Sequence, residues 1–240
     1  LHFDIQSFAE DGSLIETQFD QLSERLESFT GYKADQQVKM NGKPTFWNFK
    51  LLFDVFPFRN KHWHLTAGFH WGPSQIAEAI NDLEDAPSLV AVNIYNNIYE
   101  KVIEGENVFG DFDVDPDIRR QIKRNGRMGI HVGDYADGTP YLMEPDENCT
   151  VSAKVTVNSF KPYLGFGYGG RLFKNDNRYY VSFDAGVMFW GGTPAITTHD
   201  GTNLSKDVSN ISGKVGDYVD LISGIKVFPV INVRFTRRLF

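Results

Sequence analysis

Two neighbouring segments alternate between apolar and polar side chains over their whole length, and this pattern restricts the fold more than any other feature. They cover 45–57 and 62–72, and a short turn at 58–61 joins them. Their alternate apolar positions are Trp47, Phe49, Leu51, Phe53 and Val55, then Trp63, Leu65, Ala67, Phe69 and Trp71. Because successive side chains of a strand point to opposite faces, each segment predicts a strand with one apolar and one polar face. Two such strands of about ten residues, with aromatic residues at their ends, are typical of a transmembrane β-hairpin.

A half-buried hairpin in a soluble sandwich or a lipocalin-like barrel is the alternative interpretation. The polar face of such a hairpin meets water, so it would be rich in Lys and Glu. Here the polar face holds His, Thr, Gly and Asn, with one Lys and one Asp at Lys50 and Asp54. These groups suit a narrow, filled lumen better than open water, so we favour the membrane hairpin.

Length, charge and cysteine content exclude several classes of protein. A chain of 240 residues is long enough for one large β-domain or two small ones. It has no run of eighteen apolar residues, so no transmembrane helix is predicted. The single Cys149 excludes an intrachain disulfide and a cysteine-based zinc site. The net charge of -7 argues against nucleic acid as a partner.

Strand-like alternation recurs along the chain and indicates six strands in all. Besides the hairpin, these strands cover 1–9, 150–169, 178–190 and 222–240. Within 150–169 the apolar positions change parity after Pro162, which predicts a β-bulge there. The connections 10–44, 73–149 and 191–220 are long, whereas those at 58–61 and 170–178 are short. Long loops on one rim and short turns on the other are the outer-membrane pattern.

The longest connection, 73–149, is acidic and has helical periodicity. It contains sixteen Asp or Glu against six Lys or Arg, and the rest of the chain is slightly basic. Apolar residues at helical spacing predict helices at 74–84, at 89–103 and after Pro116, and a further one at 17–29 in the first connection. A connection of this length without secondary structure of its own is uncommon in a folded domain. We therefore predict a structured, partly helical cap.

Five stretches of this chain resemble the small outer-membrane β-barrel proteins of Bacteroides-type bacteria. They read LLFDVFPF at 51–58, HLTAGF at 64–69, NSFKPYLGFGY at 158–168, FDAGVMF at 183–189 and VFPVINVRF at 227–235. The resemblance implies an all-β fold, a transmembrane antiparallel up-and-down β-barrel in the bacterial outer membrane. Members have eight strands, and most have no assigned activity. The family places one further hairpin before the first strand, which we expect this chain to lack.

The domain organisation and the surroundings of the protein follow from that resemblance. We predict a single barrel domain over 1–240 with an extracellular cap at 73–149. The expected surroundings are the lipid bilayer and lipopolysaccharide, and the expected partner is another outer-membrane protein. No cofactor is predicted. Neither a Gly-x-Ser-x-Gly nor a His-Glu-x-x-His motif, which would indicate a hydrolase nucleophile or a zinc protease site, occurs in the chain.

Several polar residues share the lumenal face of the predicted strands. His62, His64 and His70 lie on the same face as Lys50 and Asp54, and a His with a carboxylate can act as a general base or bind a divalent ion. The interpretation we favour is a polar network that fills a narrow barrel, because buried charges must be paired. The residues predicted for this network are Lys50, Asp54, His64, Asp184 and Arg234.

A run of alternating aspartates is a weak candidate for calcium. Asp111, Asp113 and Asp115 would face the same way in an extended segment, and oxygen ligands suit Ca²⁺. The glycine and the terminal glutamate of an EF-hand are absent at their spacings. Asp115 also precedes Pro116, which makes it a natural N-cap of the following helix, and we favour that interpretation.

The predicted helix at 89–103 is the candidate for binding a partner. Ile94, Ile98 and Val102 form one apolar stripe, flanked by Tyr95 and Tyr99, and a helix this short needs its stripe buried against something. We predict partner binding at Ile94, Tyr95, Ile98 and Tyr99. The function is thus predicted as a structural or interaction role without enzymatic activity. A small-molecule binding or transport barrel is the alternative, followed by a membrane enzyme that uses lumenal His and Asp.

Overall fold

The protein is mostly β-structure with a few helices. The computed structural model describes residues 2–9, 12–15, 18–30, 34–59, 61–108, 115–173, 176–211 and 213–237. The strands are β1 His2–Ser7, β2 Gln37–Pro44, β3 Phe49–Val55, β4 Trp63–Trp71, β5 Gln75–Asn81, β6 Met128–Tyr135, β7 Pro140–Met143, β8 Ser152–Thr156, β9 Phe160–Phe173, β10 Asp176–Phe189, β11 Ala195–Thr198, β12 Val208–Ser209 and β13 Val227–Arg237. The helices are α1 Gln18–Thr30, α2 Ala86–Glu104, α3 Pro116–Asn125 and α4 Gly213–Gly224.

The chain divides into two compact units, each built from three segments. The α/β unit consists of 1–44, 77–154 and 195–220, and the barrel unit of 45–76, 155–194 and 221–240. The long connections of the predicted barrel therefore supply most of the α/β unit. The prediction of a single domain with an extracellular insertion stays a prediction.

The barrel unit contains a five-stranded antiparallel sheet in the order β13-β10-β9-β4-β3. Strands that follow one another within this unit are also neighbours in the sheet, which is up-and-down topology. The pairing is long and regular, for example from Tyr179 opposite Arg237 to Phe189 opposite Val227. Strands β4 and β9 pair from Trp63 opposite Tyr168 onward without interruption.

The sheet curls until its two edge strands, β3 and β13, are joined by side chains. Lys50 Nζ donates a hydrogen bond to Asn232 Oδ1 at 3.0 Å, and Arg234 Nη1 lies 2.7 Å from Asp54 Oδ2. The described residues thus form a nearly closed barrel whose seam is made by polar side chains rather than by a backbone ladder. This confirms the predicted antiparallel up-and-down barrel.

Apolar side chains cover the outer surface of the barrel unit, and polar ones fill its interior. Phe53 and Phe235 expose 62% and 74% of their surface, whereas Thr66 and Asp184 on the opposite side of the strands expose 0%. Other exposed apolar residues of these strands are Phe49, Leu51, Trp63, Leu65, Leu164, Phe166, Phe183, Phe189, Ile231 and Val233. This polarity is the reverse of a water-soluble barrel and is that of a barrel facing lipid. The predicted outward orientation of the hairpin is therefore confirmed.

Two glycines on the inner side of the strands make room for larger lumenal groups. A Cβ atom at Gly167 would overlap the imidazole of His64, and one at Gly186 would lie 2.5 Å from the hydroxyl oxygen of Tyr163. The interior is therefore so narrow that some inward positions, such as Gly167 and Gly186, have no room for a side chain.

The structure corrects the predicted strand at 150–169. Its residues form two strands, β8 in the sheet of the α/β unit and β9 in the barrel, separated by 157–159. The change of parity at Pro162 therefore comes from two strands in different sheets and not from a bulge. β9 pairs with β4 directly across this position, with Pro162 opposite Phe69.

Three other predicted elements differ from the structure. The predicted strand at 1–9 is β1, which pairs with β2 and β6 in the α/β unit rather than with the barrel. The predicted helix at 74–84 is strand β5, which pairs with β2 from Met40 opposite Asn81 to Pro44 opposite Ala77. The predicted polar loop at 191–220 contains β11, β12 and the start of α4, so the last barrel strand begins only at Val227.

The α/β unit packs its helices on an eight-stranded sheet with the order β11-β8-β5-β2-β1-β6-β12, in which β7 also pairs with β6. The helices predicted at 17–29, at 89–103 and after Pro116 are confirmed as α1, α2 and α3. The side chain of Asn96 on α2 bonds both the carbonyl and the N–H of Met128 on β6, at 2.8 and 2.9 Å. The core of this unit includes Ile5, Val38, Met40, Leu89, Val92, Met128 and Ile130.

Among the described helices, none combines the length and the apolar character needed to cross a bilayer.

Because the outer surface of the barrel is apolar, we expect an arginine there to lower the free energy of unfolding strongly at the middle of a strand and only slightly at its end. Phe53 lies opposite Ala67, the middle residue of β4, whereas Phe49 lies opposite Trp71 at the end of that strand. We expect Phe53→Arg to lower the free energy of unfolding in lipid vesicles by about 2–4 kcal/mol and Phe49→Arg by about 0–1 kcal/mol. Urea titration followed by tryptophan fluorescence measures both. Equal costs at the two positions would contradict a lipid-facing surface.

Candidate functional site

The interior of the barrel unit holds a network of charged and polar side chains. The even positions of β3, β4, β10 and β13 point inward, and the odd positions of β9 do so too. This parity brings Asp54, His64, Asp184 and Arg234 together, and it places Lys50 beside Asn232 at 3.0 Å. All five residues predicted for a lumenal network thus lie on the inner side of the barrel. Their functional role stays a prediction.

The ion pair between Asp54 and Arg234 connects the first and the last barrel strand. Arg234 Nη1 lies 2.7 Å from Asp54 Oδ2, and Nη2 donates to Oδ1 at 3.0 Å. Two parallel hydrogen bonds between a guanidinium and a carboxylate combine charge with a defined geometry. Both side chains are about one quarter exposed, 26% and 24%. Their pairing neutralises the carboxylate of Asp54.

Asp184 is the buried acceptor at the centre of the network. It accepts hydrogen bonds from the hydroxyl of Tyr163, from Thr66 Oγ1 at 2.7 Å and from Asn232 Nδ2 at 3.4 Å. Thr66 Oγ1 also lies 2.8 Å from Asp54 Oδ1. A hydroxyl has one hydrogen, so Thr66 donates to one of the two carboxylates at a time.

His64 is held in one tautomer by Arg234. The guanidinium can only donate, and its Nη2 lies 3.1 Å from His64 Nε2, so Nε2 is the acceptor and the ring proton sits on Nδ1. The nearest oxygen of Asp184 is 3.7 Å from Nε2, which is too long for a hydrogen bond. His64 exposes 1% of its surface, and Nδ1 has no hydrogen-bond partner among the described residues.

These contacts weigh against His64 as a general base. A base needs a free lone pair within reach of the proton it removes, and the lone pair of Nε2 already accepts from Arg234. Asp184 is surrounded by donors and Asp54 by a guanidinium, so neither presents a free carboxylate. Most polar atoms of this network are therefore paired with one another, and His64 Nδ1 and Arg234 Nε are buried without a partner among the described residues. Among the described residues, no group of three or more His, Cys, Asp or Glu is placed to hold a metal ion.

The predicted lumenal network did not include four polar residues that the structure places inside the barrel, namely Thr66, Tyr163, Lys161 and Asn232. Lys161 exposes 0% of its surface, and its Nζ donates to Asn48 Oδ1 at 3.1 Å and to two backbone carbonyls at 3.3 Å. The alternation within β9 could have predicted two of them, because Lys161 and Tyr163 lie at the same inward-facing odd positions as Gly165 and Gly167. These two residues close the lumen at the end where β9 begins.

The residues predicted to bind a partner lie on α2 of the α/β unit. Ile94 exposes 44% of its surface, whereas Tyr95 is buried and its hydroxyl donates to the carbonyl of Gly126 at 3.1 Å. Burial raises the pKa of the Tyr95 phenol, and the neighbouring Tyr99 raises it further, so the hydroxyl stays a donor. Ile98 and Tyr99 are half-buried. The prediction of partner binding at these four residues stays untested.

Of the three calcium candidates, only Asp115 is among the described residues. Its side chain accepts from the N–H of Asp117 at 2.8 Å and caps α3, which begins at Pro116. The favoured N-cap interpretation of Asp115 is therefore confirmed. Asp111 and Asp113 lie outside the described residues.

Comparisons with known proteins identify no family. No protein-family model matches the chain, and no curated protein matches it. CarO of Acinetobacter baumannii is similar at 12% identity and a TM-score of 0.33, over 84% of this chain and 74% of that one. CarO2 of the same organism is similar at 13% identity and a TM-score of 0.32, over 99% and 98%. TM-scores this low support no conclusion about family or function. Membership of the Bacteroides-type family therefore stays a prediction.

The geometry of Asp54 and Arg234 predicts that the pair is energetically coupled. Arg234→Met leaves the carboxylate of Asp54 without its cation, and we expect a loss of about 1.5–3 kcal/mol of unfolding free energy in vesicles. The double variant Asp54→Leu with Arg234→Met should lose at least about 1 kcal/mol less than the sum of the single losses.

A matched cycle on Asp176 and Arg178 provides the control for this measurement. That pair also lies in the barrel unit, 3.0 Å apart, but the side chain of Arg178 is 64% exposed. Its coupling should stay within about 0–1 kcal/mol because water screens it. Additive effects of the substitutions at Asp54 and Arg234 would show that the seam is not held by their ion pair.

Proposed function

We propose that this protein is an outer-membrane barrel with a structural or interaction role and a lumen that is closed to ions. The barrel unit anchors the chain in the membrane, and the folded α/β unit supplies the surface that partners recognise. The observation that carries this proposal is the network between Asp54, Arg234, Thr66 and Asp184, which connects opposite walls of the lumen.

The filling of the lumen supports a closed barrel. Even eight strands enclose an interior just wide enough for side chains, and the five described strands enclose less. Beyond Asp184 the interior continues as a buried apolar cluster of Tyr163, Met188 and Trp190. The indole of Trp190 donates to the carbonyl of Ile225 at 2.9 Å and so is fixed in place. An ion could cross this interior only if the polar network around Asp184 and the apolar cluster around Met188 both moved aside.

A partner-binding role is supported by an exposed apolar stripe on α2. Val90 and Ile94 expose 39% and 44% of their surface, one helical turn apart, and half-buried Ile98 continues the stripe. The segment 73–149 that contains the stripe is strongly acidic. A partner with an apolar contact and a basic rim fits this combination best.

Conductance tests the closed lumen. We expect the refolded chain in planar bilayers to show no stable channel of nanosiemens size, with a general porin recorded in the same bilayers as the positive control. Stable openings of that size would contradict the proposal and favour the alternative of a transport barrel.

Substitution of Ile94 tests the partner surface. Deletion of 89–126 would remove buried Leu89, Val92 and Val102 and so unfold the α/β unit, which makes a single exposed substitution the sharper test. We expect Ile94→Lys to weaken recovery of native outer-membrane partners by about tenfold, while barrel folding on gels is unchanged. Asn97→Lys, also exposed on α2, introduces the same charge beside the stripe and should have little effect. Equal recovery with both variants would show that the stripe is not an interface.

A further inference from the structure

A large cavity opens at the end of the barrel unit that carries the short turns. Its volume is about 1090 Å³, and its lining includes residues of the turn after β3 and inward positions of β4, β9, β10 and β13. Tyr168, Val181 and Phe183, at the alternate positions of β9 and β10, also line it. This end is opposite the apolar cluster around Met188, so the cavity is a pocket with a closed floor. A volume of this order accommodates a small organic molecule.

The charges that line the pocket are unbalanced. Arg59, Lys61 and Arg171 line it, and Asp54 is the one carboxylate among the described lining residues. That carboxylate is already neutralised by Arg234 at 2.7 Å. None of the three lining cations forms an ion pair within the described part of the chain. The pocket therefore carries a net positive charge.

One residue that lines the pocket carries a buried donor without an acceptor among the described residues. His64 lines it, and its Nδ1 carries the ring proton because Arg234 donates to Nε2 at 3.1 Å. Nδ1 is buried and has no partner among the described residues. A buried N–H without an acceptor costs free energy, which a bound acceptor would recover. The donor and the surrounding cations require the same kind of ligand atom, an anionic oxygen.

Aromatic side chains complete the lining. The ring of Phe56 lies 5.5 Å from the imidazole of His64, and Tyr180 also lines the pocket. An inorganic ion would leave most of this volume and these rings without contacts. An anion with an apolar or aromatic body would use both.

We propose that this pocket binds an organic phosphate, with the phosphate group held by Arg59, Arg171 and His64 Nδ1–H and the organic part packed against Phe56 and Tyr180. Arginine suits this role because its planar guanidinium donates two parallel hydrogen bonds to phosphate oxygens. The site is independent of the proposed partner surface on α2, and it is compatible with a closed lumen because its floor is sealed.

Titration calorimetry of the full chain tests the site. The protein is refolded into nanodiscs of zwitterionic phosphatidylcholine at low ionic strength and titrated with phenyl phosphate. We expect saturable binding at one site, about tenfold weaker for the double variant Arg59→Gln with Arg171→Gln. His64→Gln should also weaken binding, because its amide can replace Nε2 as the partner of Arg234 but offers no donor at the position of Nδ1.

Arg178→Gln is the matched control, since it removes an arginine of the same barrel end that pairs with Asp176 and does not line the pocket. We expect the affinity of this variant for phenyl phosphate to equal that of the unmodified chain. No saturable binding in the millimolar range would overturn the proposal. So would equal affinities for the control and the double variant, since binding would then reflect general surface charge.

The same measurement in nanodiscs that contain phosphatidylglycerol separates two sources of phosphate. Loss of phenyl phosphate binding in these discs would identify a lipid headgroup as the occupant, because the lipid competes for the pocket. Unchanged binding would identify a soluble organic phosphate. In both cases the double variant must bind phosphate more weakly than the Arg178→Gln control.

Discussion

A barrel whose outer surface faces lipid must satisfy its inward polar groups from within, and the ion pair of Asp54 and Arg234 is where this constraint is met. The pair joins β3 to β13, so it neutralises two charges and closes the seam of the sheet at once. Its effect extends further, because Arg234 also determines the tautomer of His64. Loss of Arg234 would leave the carboxylate of Asp54 and the imidazole of His64 without their donor, and it would remove the ion pair that joins β3 to β13.

The lumen is organised in layers with different chemistry along the barrel. Tyr163, Met188 and Trp190 form an apolar layer at one end, and the network of Asp54 and Asp184 forms a polar layer next to it. Beyond the polar layer the strands open into a pocket whose described lining residues carry more cations than carboxylates. The first two layers support the proposed closed lumen, and the third is the proposed site for an anion.

Much of the barrel could be predicted from local periodicity, and the errors have physical causes. Alternation with period two identified β3, β4, β10 and most of β13, because a lipid-facing surface requires an unbroken apolar parity. The segment 74–84 was misassigned, since Ile76 and Ile80 have helical spacing but pairing with β2 makes this segment a strand. The spacing of apolar residues within one segment gives no information about a pairing strand such as β2, which lies more than thirty residues away in the chain.

The sequence by itself determined which side chains of each barrel strand face lipid and which face the lumen, because strand geometry ties side-chain direction to position. It also placed α2 and α3, whose apolar spacing and caps are local. Only the tertiary structure decided that β1 belongs to the α/β unit and that Arg234 meets Asp54 across 180 residues of chain. Those contacts depend on how distant strands pair and curl, and a one-dimensional pattern contains no information about the distance between two inward positions.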